Sequence, residues 1–211
     1  MAEILKVSPE NPESNAVRRA AELIRRGDVV GLPTDTFYGL AADPFNLAAV
    51  ARIYEIKGRP ERKALPILLA SLEQAEEMVG DVPDIFFTLA ERFWPGGLTL
   101  VVDAASRVPL KVTGNTGRVA LRQPDSKITA AVIAAAGTPV TGTSANLSGF
   151  AACNSAAQVV KQMGERLPLI LDGGESKALL ASTVVDLRGE SWTVVREGPI
   201  SEDQIRDALG G

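Results

Sequence analysis

The chain contains no histidine and only one cysteine, Cys153, among its 211 residues. The missing histidine excludes Ser-His-Asp triads, histidine zinc sites and imidazole bases. The single cysteine excludes an internal disulfide and cysteine-rich metal sites, and it fits a reducing, cytoplasmic environment. A lone cysteine is most often a small buried apolar residue, and we expect Cys153 to be one.

Two further absences concern membranes and nucleotide motifs. The chain begins without a basic, apolar leader, and no apolar run is long enough to span a bilayer, so we expect neither a signal peptide nor a membrane partner. Neither a P-loop nor a G-x-G-x-x-G motif is present, so any nucleotide site must be of another kind. The net charge of −4 argues against a broadly basic nucleic-acid surface but leaves a local basic patch open.

Helical and strand patterns alternate along the chain. Amphipathic periodicity and capping residues predict helices at residues 15–26, 46–57, 71–79, 84–93, 126–136, 155–163 and from 201 onward. Short apolar runs predict strands at residues 28–33, 65–70, 98–102, 118–122, 139–142, 167–171, 183–187 and 192–196. The chain is therefore predicted to be one α/β domain, residues 1–211 with a core of about 4–205, in which helices flank a twisted sheet of mixed parallel and antiparallel strands.

The first candidate for function is the loop of residues 33–38, called here the hydroxyl loop. It follows a predicted strand and carries Thr34, Asp35, Thr36 and Tyr38. Ligands in open α/β sheets bind at the carboxyl ends of strands, so these groups can orient a small polar substrate. The alternative is ordinary turn chemistry, in which threonine and aspartate bond to their own backbone.

The densest group of cations follows the next predicted helix. Lys57, Arg59, Arg62 and Lys63 lie within seven residues, interrupted by Glu61. Such a cluster suits a polyphosphate. The alternative is a solvated charge run in which Lys57 complements the helix dipole.

Arg118 and Arg122 are four residues apart on a predicted strand, so they are expected to share a face. Two arginines on one face are costly to bury unless an anion meets them. The alternative is an exposed edge strand.

A second cluster of hydroxyl and amide groups follows the strand at residues 139–142. Its members are Thr141, Thr143, Ser144, Asn146 and Ser148. Together with nearby backbone N–H groups they can form an anion nest. Ser182 and Arg196 bring similar chemistry late in the chain.

These segments, in this order and spacing, resemble the YrdC-like family, the L-threonylcarbamoyladenylate synthases. The resemblance runs from about residue 4 to residue 205. The matching motifs are Pro33-Thr34-Asp35-Thr36-Phe37-Tyr38-Gly39-Leu40, Lys57-Gly58-Arg59-Pro60, Trp94-Pro95-Gly96 with Leu98-Thr99, Arg122 with Pro124, Ser144-Ala145-Asn146, Ser182-Thr183-Val184 and Arg196-Glu197-Gly198.

The resemblance implies a nucleotidyltransferase that makes threonylcarbamoyl-AMP and pyrophosphate from L-threonine, bicarbonate or CO₂, and ATP. Partner proteins then use this product to modify adenosine 37 of tRNAs that read codons starting with A. The family also implies Mg²⁺ carried mainly by ATP, with no dedicated metal site on the protein. The reaction requires alignment and charge neutralisation more than a protein base, which suits a chain without histidine.

The resemblance also assigns residues. Threonine binding is implied for Thr36, Arg122, Thr141 and Ser182. ATP binding is implied for Lys57, Arg59, Lys63, Arg118, Ser144, Asn146 and Arg196, with Lys57 and Arg59 as the catalytic residues.

The chain departs from longer relatives at Leu68, where they place a histidine. We also expect it not to carry their extra C-terminal domain, so it resembles the short form. Two alternatives stay open. One is an RNA-binding or ribosome-maturation factor that binds tRNA or double-stranded RNA weakly through the same basic concave surface. The other is a carbamoyl-adenylate role in hydrogenase maturation, against which the short chain argues.

Overall fold

A computed structural model describes residues 2–210 of the chain. Within that range the strands are β1 Glu3–Lys6, β2 Val30–Leu32, β3 Gly39–Ala41, β4 Ile67–Leu68, β5 Leu98–Asp103, β6 Arg118–Arg122, β7 Val140–Thr141, β8 Thr143–Ser144, β9 Leu169–Asp172, β10 Thr183–Arg188 and β11 Ser191–Arg196. The helices are α1 Ser14–Arg25, α2 Leu47–Lys57, α3 Leu72–Glu76, α4 Asp84–Phe93, α5 Lys127–Ala136, α6 Ala156–Met163 and α7 Glu202–Ala208.

The strands form two mixed sheets. Sheet A has the order β1-β9-β2-β3-β8, and sheet B has the order β11-β10-β5-β6-β4-β7. Parallel and antiparallel pairs occur in both sheets. The predicted α/β class with mixed strands is confirmed. The strands are divided between two sheets rather than one, because the chain passes from β7 in sheet B to β8 in sheet A at Gly142.

The helices cover the sheets through two apolar clusters. Helices α1 and α5 pack together against sheet A, with Ile24 and Val132 fully buried between them and the sheet. Helices α4 and α7 pack behind sheet B, where the Phe86 ring contacts Trp94 edge-to-face at 5.7 Å between centroids. Burial of large side chains such as Phe86 contributes about 1.5–3 kcal/mol each and fixes the sheets as a rigid support.

Local signals placed several elements accurately. Asn46 caps α2 by accepting from two backbone N–H groups, and Gly58 ends that helix in the left-handed conformation. The predicted capping box of Ser201 and Gln204 opens α7. Helix α4 and strand β6 begin and end where the sequence predicts.

Three strands, β1, β3 and β8, were not predicted, and the strand predicted at residues 65–70 forms only at Ile67–Leu68. Strand β3 reads Gly-Leu-Ala and β8 reads Thr-Ser. Segments of two or three residues carry no measurable periodicity. Their pairing partners alone make them strands.

Strand β11 contains a bulge that determines the direction of its last side chain. Val194 lies opposite Val185 and Arg196 lies opposite Val184, so Val195 is an extra residue. Val185 is fully buried in the core, whereas Val184 lies on the opposite face of sheet B. Side chains alternate between the faces of a strand, so the extra residue turns Arg196 to the face of Val184 rather than toward the core.

Gly198 allows the segment after β11 to approach the start of β10 closely. A Cβ at Gly198 would overlap the carbonyl oxygen of Ala181 and the backbone nitrogen of Thr183, and would lie 2.7 Å from the carbonyl carbon of Ser182. Gly198→Ala is expected to lower the free energy of unfolding by about 1–3 kcal/mol, because these backbone atoms must move apart. Urea unfolding followed by circular dichroism measures the change.

Gly39→Ala is the control for this substitution. A Cβ at Gly39 meets only the carbonyl oxygen of Thr143, at an ordinary 3.5 Å. Its stability should equal or slightly exceed that of the parent chain, because alanine restricts the unfolded state. Equal unfolding midpoints for Gly198→Ala and the parent would refute the close approach.

Candidate active site

A cleft of about 410 Å³ lies between the two sheets. Its walls come from the hydroxyl loop, β3 and β8 on one side, and from β4, β5, β6, β10 and β11 on the other. The polar side chains that line it are Thr34, Thr36, Arg59, Thr99, Arg122, Thr143, Ser144, Asn146, Ser182 and Arg196. Among the described residues that line the cleft, every side chain that is charged near neutral pH is an arginine, and none is a carboxylate. The lining is therefore cationic.

One end of the cleft is organised by Arg122, which is only 5% exposed. Its guanidinium donates to the carboxylate of Asp35 at 2.6 Å, to the hydroxyl of Thr36 at 2.8 Å and to the carbonyl of Gly96 at 2.9 Å. Burial lowers the pKa of Arg122, and Asp35 opposes that shift. Removing either partner of such a buried pair is typically costly. The pair therefore fixes Thr36 beside a buried cation.

The hydroxyl loop is held from below by the chain that follows β9. The Thr34 hydroxyl donates to the carbonyl of Phe37 at 2.7 Å, as expected for a turn. Tyr38 is buried, and its hydroxyl donates to the carbonyl of Gly174 at 2.7 Å. Burial, reinforced by Asp172, raises the pKa of Tyr38 to about 12. The turn interpretation is thus realised at Thr34. The loop also lines the cleft, and its part in substrate binding stays a prediction.

At the other end, Arg59 projects into the cleft beside the segment Thr143–Asn146. Its guanidinium donates to the carbonyl of Ala64 at 2.9 Å and to the Thr143 hydroxyl at 3.4 Å, while its buried Nε has no partner within residues 2–210. Burial lowers the pKa of Arg59. The Ser144 hydroxyl and the Asn146 amide contact each other, and both line the cleft. Because neutral groups orient the Arg59 guanidinium, its positive charge remains available to an anion.

Lys57 lies behind this end rather than in its lining, and it is only 3% exposed. Its ammonium donates to the carbonyls of Ser144 and Asn146, the latter at 2.7 Å. Burial, with a smaller contribution from the charge of Arg59, lowers the pKa of Lys57 to about 8. Lys57 is therefore neither a solvated cation nor a group that faces the cleft: it holds the backbone of residues 144–146 in place.

The floor of the cleft brings Ser182 and Arg196 together. The Arg196 guanidinium donates to the carbonyl of Ser182 at 2.8 and 3.0 Å and to its hydroxyl at 3.1 Å. Burial lowers the pKa of Arg196. The Ser182 hydroxyl also contacts the hydroxyl of Thr99 at 2.7 Å. Thr99 was not among the predicted site residues, because a single threonine within an apolar strand gives no local signal.

These floor residues form a row across four strands of sheet B. Arg196 in β11 lies opposite Val184 in β10, and Val184 lies opposite Thr99 in β5. Leu100 pairs with Leu121 in β6, so the next pair along these antiparallel strands is Thr99 and Arg122. The row therefore reads Arg196, Val184, Thr99, Arg122, with a guanidinium at each end.

Leu68 of β4 extends this row beyond Arg122. It lies opposite Arg122 in the parallel pairing of β4 and β6, and it also lines the cleft. The position where longer relatives are expected to carry a histidine is thus an apolar contact beside the buried arginine.

Two predicted residues lie outside the cleft lining. Arg118 shares a face of β6 with Arg122, as predicted, but it forms ion pairs with Asp103 at 2.7 Å and with Asp186. Lys63 is exposed on the loop after Arg59. The nucleotide-binding roles assigned to Arg118 and Lys63 stay predictions, and the structure does not bring either side chain to the cleft lining.

Thr141, another predicted residue, is completely buried next to the cleft. Its hydroxyl donates to the carbonyl of Leu40 at 2.9 Å and accepts from the backbone N–H of Ala42 at 3.0 Å. These bonds join β7 to β3 at the point where the two sheets meet. Both hydrogen bonds of this hydroxyl are therefore made to the backbone and stabilise the fold. Its part in threonine binding stays a prediction.

The fold and the cleft define a class: an α/β protein whose two mixed sheets enclose a cationic cleft. A family model for Sua5, YciO and YrdC proteins, described as "Telomere recombination", matches residues 22–198. The chain belongs to this family, and the resemblance stated from its motifs is confirmed.

Individual relatives agree with the family. The threonylcarbamoyl-AMP synthase of Pyrococcus abyssi is 38% identical over 201 residues, which cover 95% of this chain and 59% of that protein. The threonylcarbamoyl-AMP synthase of Vibrio cholerae is 33% identical over 184 residues, which cover 86% of this chain and 97% of that protein. A crystal structure of P. abyssi Sua5 complexed with L-threonine has a TM-score of 0.95 at 38% identity, covering 99% of this chain and 61% of that one.

The chain spans 59% of the length of the first curated relatives it matches. Within residues 2–210, none of the helices combines the length and the apolar character that crossing a bilayer requires.

The buried ammonium of Lys57 predicts an unusual pH dependence of stability. Its pKa is about 8 in the folded chain and 10.5 ordinarily, so between these values the unfolded chain binds a proton that the folded chain does not. Stability from this group should therefore rise with pH from about 8 to about 10.5, by on the order of 3 kcal/mol. Below pH 8 both states are protonated and the contribution is constant.

The measurement compares the free energy of unfolding of the parent chain and of Lys57→Met across this pH range. Because methionine does not titrate, the difference between the two chains should change between pH 8 and 10 in favour of the parent. Parallel stability curves would show that Lys57 keeps an ordinary pKa in the folded state.

Proposed function

We propose that this chain is a threonylcarbamoyl-AMP synthase, which converts L-threonine, bicarbonate and ATP to threonylcarbamoyl-AMP and pyrophosphate. The observation that carries the proposal is the cleft lining. In it, Arg59 and Arg196 have no carboxylate partner among residues 2–210, and the same lining contains the Arg122–Thr36 pair. Three anionic or zwitterionic substrates must meet, and such a site neutralises their repulsion. The names of the relatives and the L-threonine complex of P. abyssi Sua5 support the same reaction.

The amino acid is assigned to the Arg122 end. The guanidinium of Arg122 is partly neutralised by Asp35, which suits a zwitterion better than a polyphosphate. Thr36 supplies a hydroxyl there, and Leu68 supplies an apolar contact for a methyl group. The Ser182 hydroxyl borders this end through its contact with Thr99, the neighbour of Arg122 in the row. Thr141 supports this end through its bonds to the β3 backbone. An apolar contact with the methyl group favours threonine over serine by only about 1–3 kcal/mol, so some use of serine is expected.

The nucleotide is assigned to the Arg59 end. Arg59, Ser144, Asn146 and Arg196 line the cleft there, and Lys57 holds the backbone of the Ser144–Asn146 segment. In this arrangement Lys57 acts through the backbone that it positions, and Arg59 is the group that meets the phosphates directly.

The chemistry then has two steps. The ammonium of bound threonine first loses one proton to solvent. The amine then attacks the carbon of bicarbonate, the C–O bond to the hydroxyl group breaks, and the departing hydroxide takes an amine proton and leaves as water, which gives a carbamate. A carbamate oxygen next attacks the α-phosphorus of ATP, and pyrophosphate leaves. The second step brings two anions together, so alignment and fixed positive charge are the main contributions of the protein. Arg59 and Arg196 supply that charge without a histidine base.

The donor set of the cleft fits Mg²⁺ that arrives with ATP. No cluster of three or more metal-ligating carboxylate, cysteine or histidine side chains is found in residues 2–210, and the neutral oxygens of Ser144 and Asn146 are the protein donors at the nucleotide end. We therefore propose that phosphate oxygens and water hold most of its coordination sphere, with Ser144 and Asn146 nearby. When bound, Mg²⁺ supplies further neutralisation of the phosphate charge.

The product implies partners downstream. Threonylcarbamoyl-AMP is a reactive mixed anhydride, so proteins that modify adenosine 37 of tRNA are proposed to consume it. Direct binding of tRNA or double-stranded RNA is proposed only as a weak contact with the cationic cleft surface, since the net charge is −4. A cytoplasmic location is proposed with these partners.

The test is pyrophosphate release from ATP in Mg²⁺ buffer, with L-threonine and bicarbonate supplied separately and together. Release that requires both is expected from the parent chain. Arg59→Ala should lower kcat/KM for ATP on the order of 100-fold, because a charge-assisted contact to phosphate is lost at a buried site. Its melting temperature should stay close to that of the parent chain.

Arg62→Ala is the matched control. Arg62 belongs to the same loop but is exposed and lies outside the cleft lining. Its activity should remain within about threefold of the parent chain, as expected for a solvent-exposed charge. Near-normal activity of Arg59→Ala would remove the nucleotide assignment, and a folded parent chain without threonine-dependent release would favour the RNA-binding alternative.

A further inference from the structure

Two buried hydroxyl groups lie side by side on the floor of the cleft. Thr99 is 4% exposed and Ser182 is 5% exposed, and both line the cleft. Their oxygens are 2.7 Å apart, which is a short hydrogen bond between hydroxyls. Thr99 belongs to β5, and Ser182 immediately precedes β10, the neighbouring strand of sheet B.

The hydrogen bonds of this hydroxyl pair leave one hydrogen without an acceptor among the described residues. Two hydroxyls bring two hydrogens, and the bond between them uses one. The Ser182 oxygen also accepts from Arg196, whereas the Thr99 hydroxyl has no further partner within residues 2–210. One hydroxyl hydrogen is therefore left without an acceptor from the described chain. A buried donor without an acceptor is unfavourable, so this hydrogen calls for an acceptor atom inside the cleft.

The charge around the pair specifies the kind of acceptor. The row across sheet B places Thr99 between Arg122 in β6 and Arg196 in β11. Arg122 already has the carboxylate of Asp35, whereas Arg196 donates only to Ser182 and forms no ion pair within the described part of the chain. One hydroxyl donor next to one uncompensated guanidinium suits an oxyanion.

We propose that Thr99, Ser182 and Arg196 form the subsite for the one-carbon unit, binding the oxygens of bicarbonate and then of the carbamate. The contact between Thr99 and Ser182 uses one of their two hydroxyl hydrogens and leaves the other for an oxygen of the bound group. This inference rests on the proposed function, because it assigns one substrate of that reaction to a particular part of the cleft.

The order of groups along the row matches the order of bonds in the product. Arg122 and Thr36 hold the amino acid at one end of the row, and Arg196, at its other end, is one of the residues assigned to the nucleotide. The carbon atom must lie between the amine nitrogen and the α-phosphorus, and the hydroxyl pair lies between those two ends. When the amine adds to bicarbonate, the new N–C bond leaves negative charge on the carbon's oxygens, and hydroxide departs with an amine proton as water. The hydroxyl hydrogen and Arg196 are placed to stabilise that charge.

The test uses Thr99→Val, which removes the hydroxyl and keeps the shape of the side chain, and Thr99→Ser, which keeps the hydroxyl. Pyrophosphate release is measured in CO₂-depleted buffer while bicarbonate, L-threonine and ATP are varied in turn. Thr99→Val should raise KM for bicarbonate about tenfold or more and leave KM for L-threonine and ATP within about twofold, as expected for one lost hydrogen bond to an anion. Thr99→Ser should restore a KM within about threefold of the parent.

Thr183→Val is the matched control. Thr183 neighbours Ser182, is fully buried, and bonds through its hydroxyl to the backbone of Ile200, outside the cleft lining. Its loss is expected to lower the melting temperature without moving KM for bicarbonate. A bicarbonate KM that rises equally in Thr99→Val and Thr183→Val would mean a general loss of structure and would overturn the proposal.

A binding measurement separates this inference from the proposed function. The ¹³C resonance of labelled bicarbonate is observed with the parent chain and L-threonine, without ATP; it should broaden, and Thr99→Val should abolish the broadening. Unchanged broadening, or an increase in KM for ATP instead of bicarbonate, overturns the subsite. Thr99-dependent broadening by a chain that releases no pyrophosphate would support the subsite while removing the synthase assignment.

Discussion

The ion pair between Arg122 and Asp35 connects the two halves of the site. Arg122 belongs to β6 of sheet B, whereas Asp35 belongs to the hydroxyl loop that follows β2 of sheet A. A cleft whose walls come from different sheets keeps its width only if contacts cross between them. At one end this pair provides such a contact. At the other end Lys57, the last residue of α2, holds the segment that carries β8 of sheet A. Both contacts use buried charge, whose attraction is strengthened by the low local dielectric constant.

The arginines of the cleft show how a protein of net charge −4 presents positive charge locally. Arg59, Arg122 and Arg196 each donate to a backbone carbonyl, of Ala64, Gly96 and Ser182 respectively. Carbonyls orient a guanidinium without cancelling its charge. Arg118, on the same strand as Arg122, is instead neutralised by two aspartates. Within the described residues, Arg122 has one carboxylate partner, Asp35, besides its carbonyl. The number of carboxylate partners thus sets how much of its positive charge each arginine leaves to the cleft.

Much of the fold and part of the site follow from the sequence, and the reasons differ by residue. The ends of α2 were predictable because Asn46 and Gly58 act within a few residues of themselves. The common face of Arg118 and Arg122 follows from strand geometry. Their different roles do not, because Asp186, which pairs with Arg118, lies 68 residues away in the sequence. Thr99 was missed for a similar reason: its hydroxyl has meaning only opposite Ser182.

Because of the bulge at Val195, the direction of the arginine on the cationic floor depends on the number of residues in β11 as well as on their chemistry. In a pleated strand, successive side chains point to opposite faces of the sheet. The face that a side chain occupies therefore depends on whether its position in the strand is odd or even. A strand of the same length without the bulge would place Arg196 opposite Thr183 and point it into the core, whereas a strand one residue shorter and without the bulge would keep the arginine opposite Val184. When family members are aligned, the length of β11 and the presence of the bulge must therefore be considered together with the identity of the last residue.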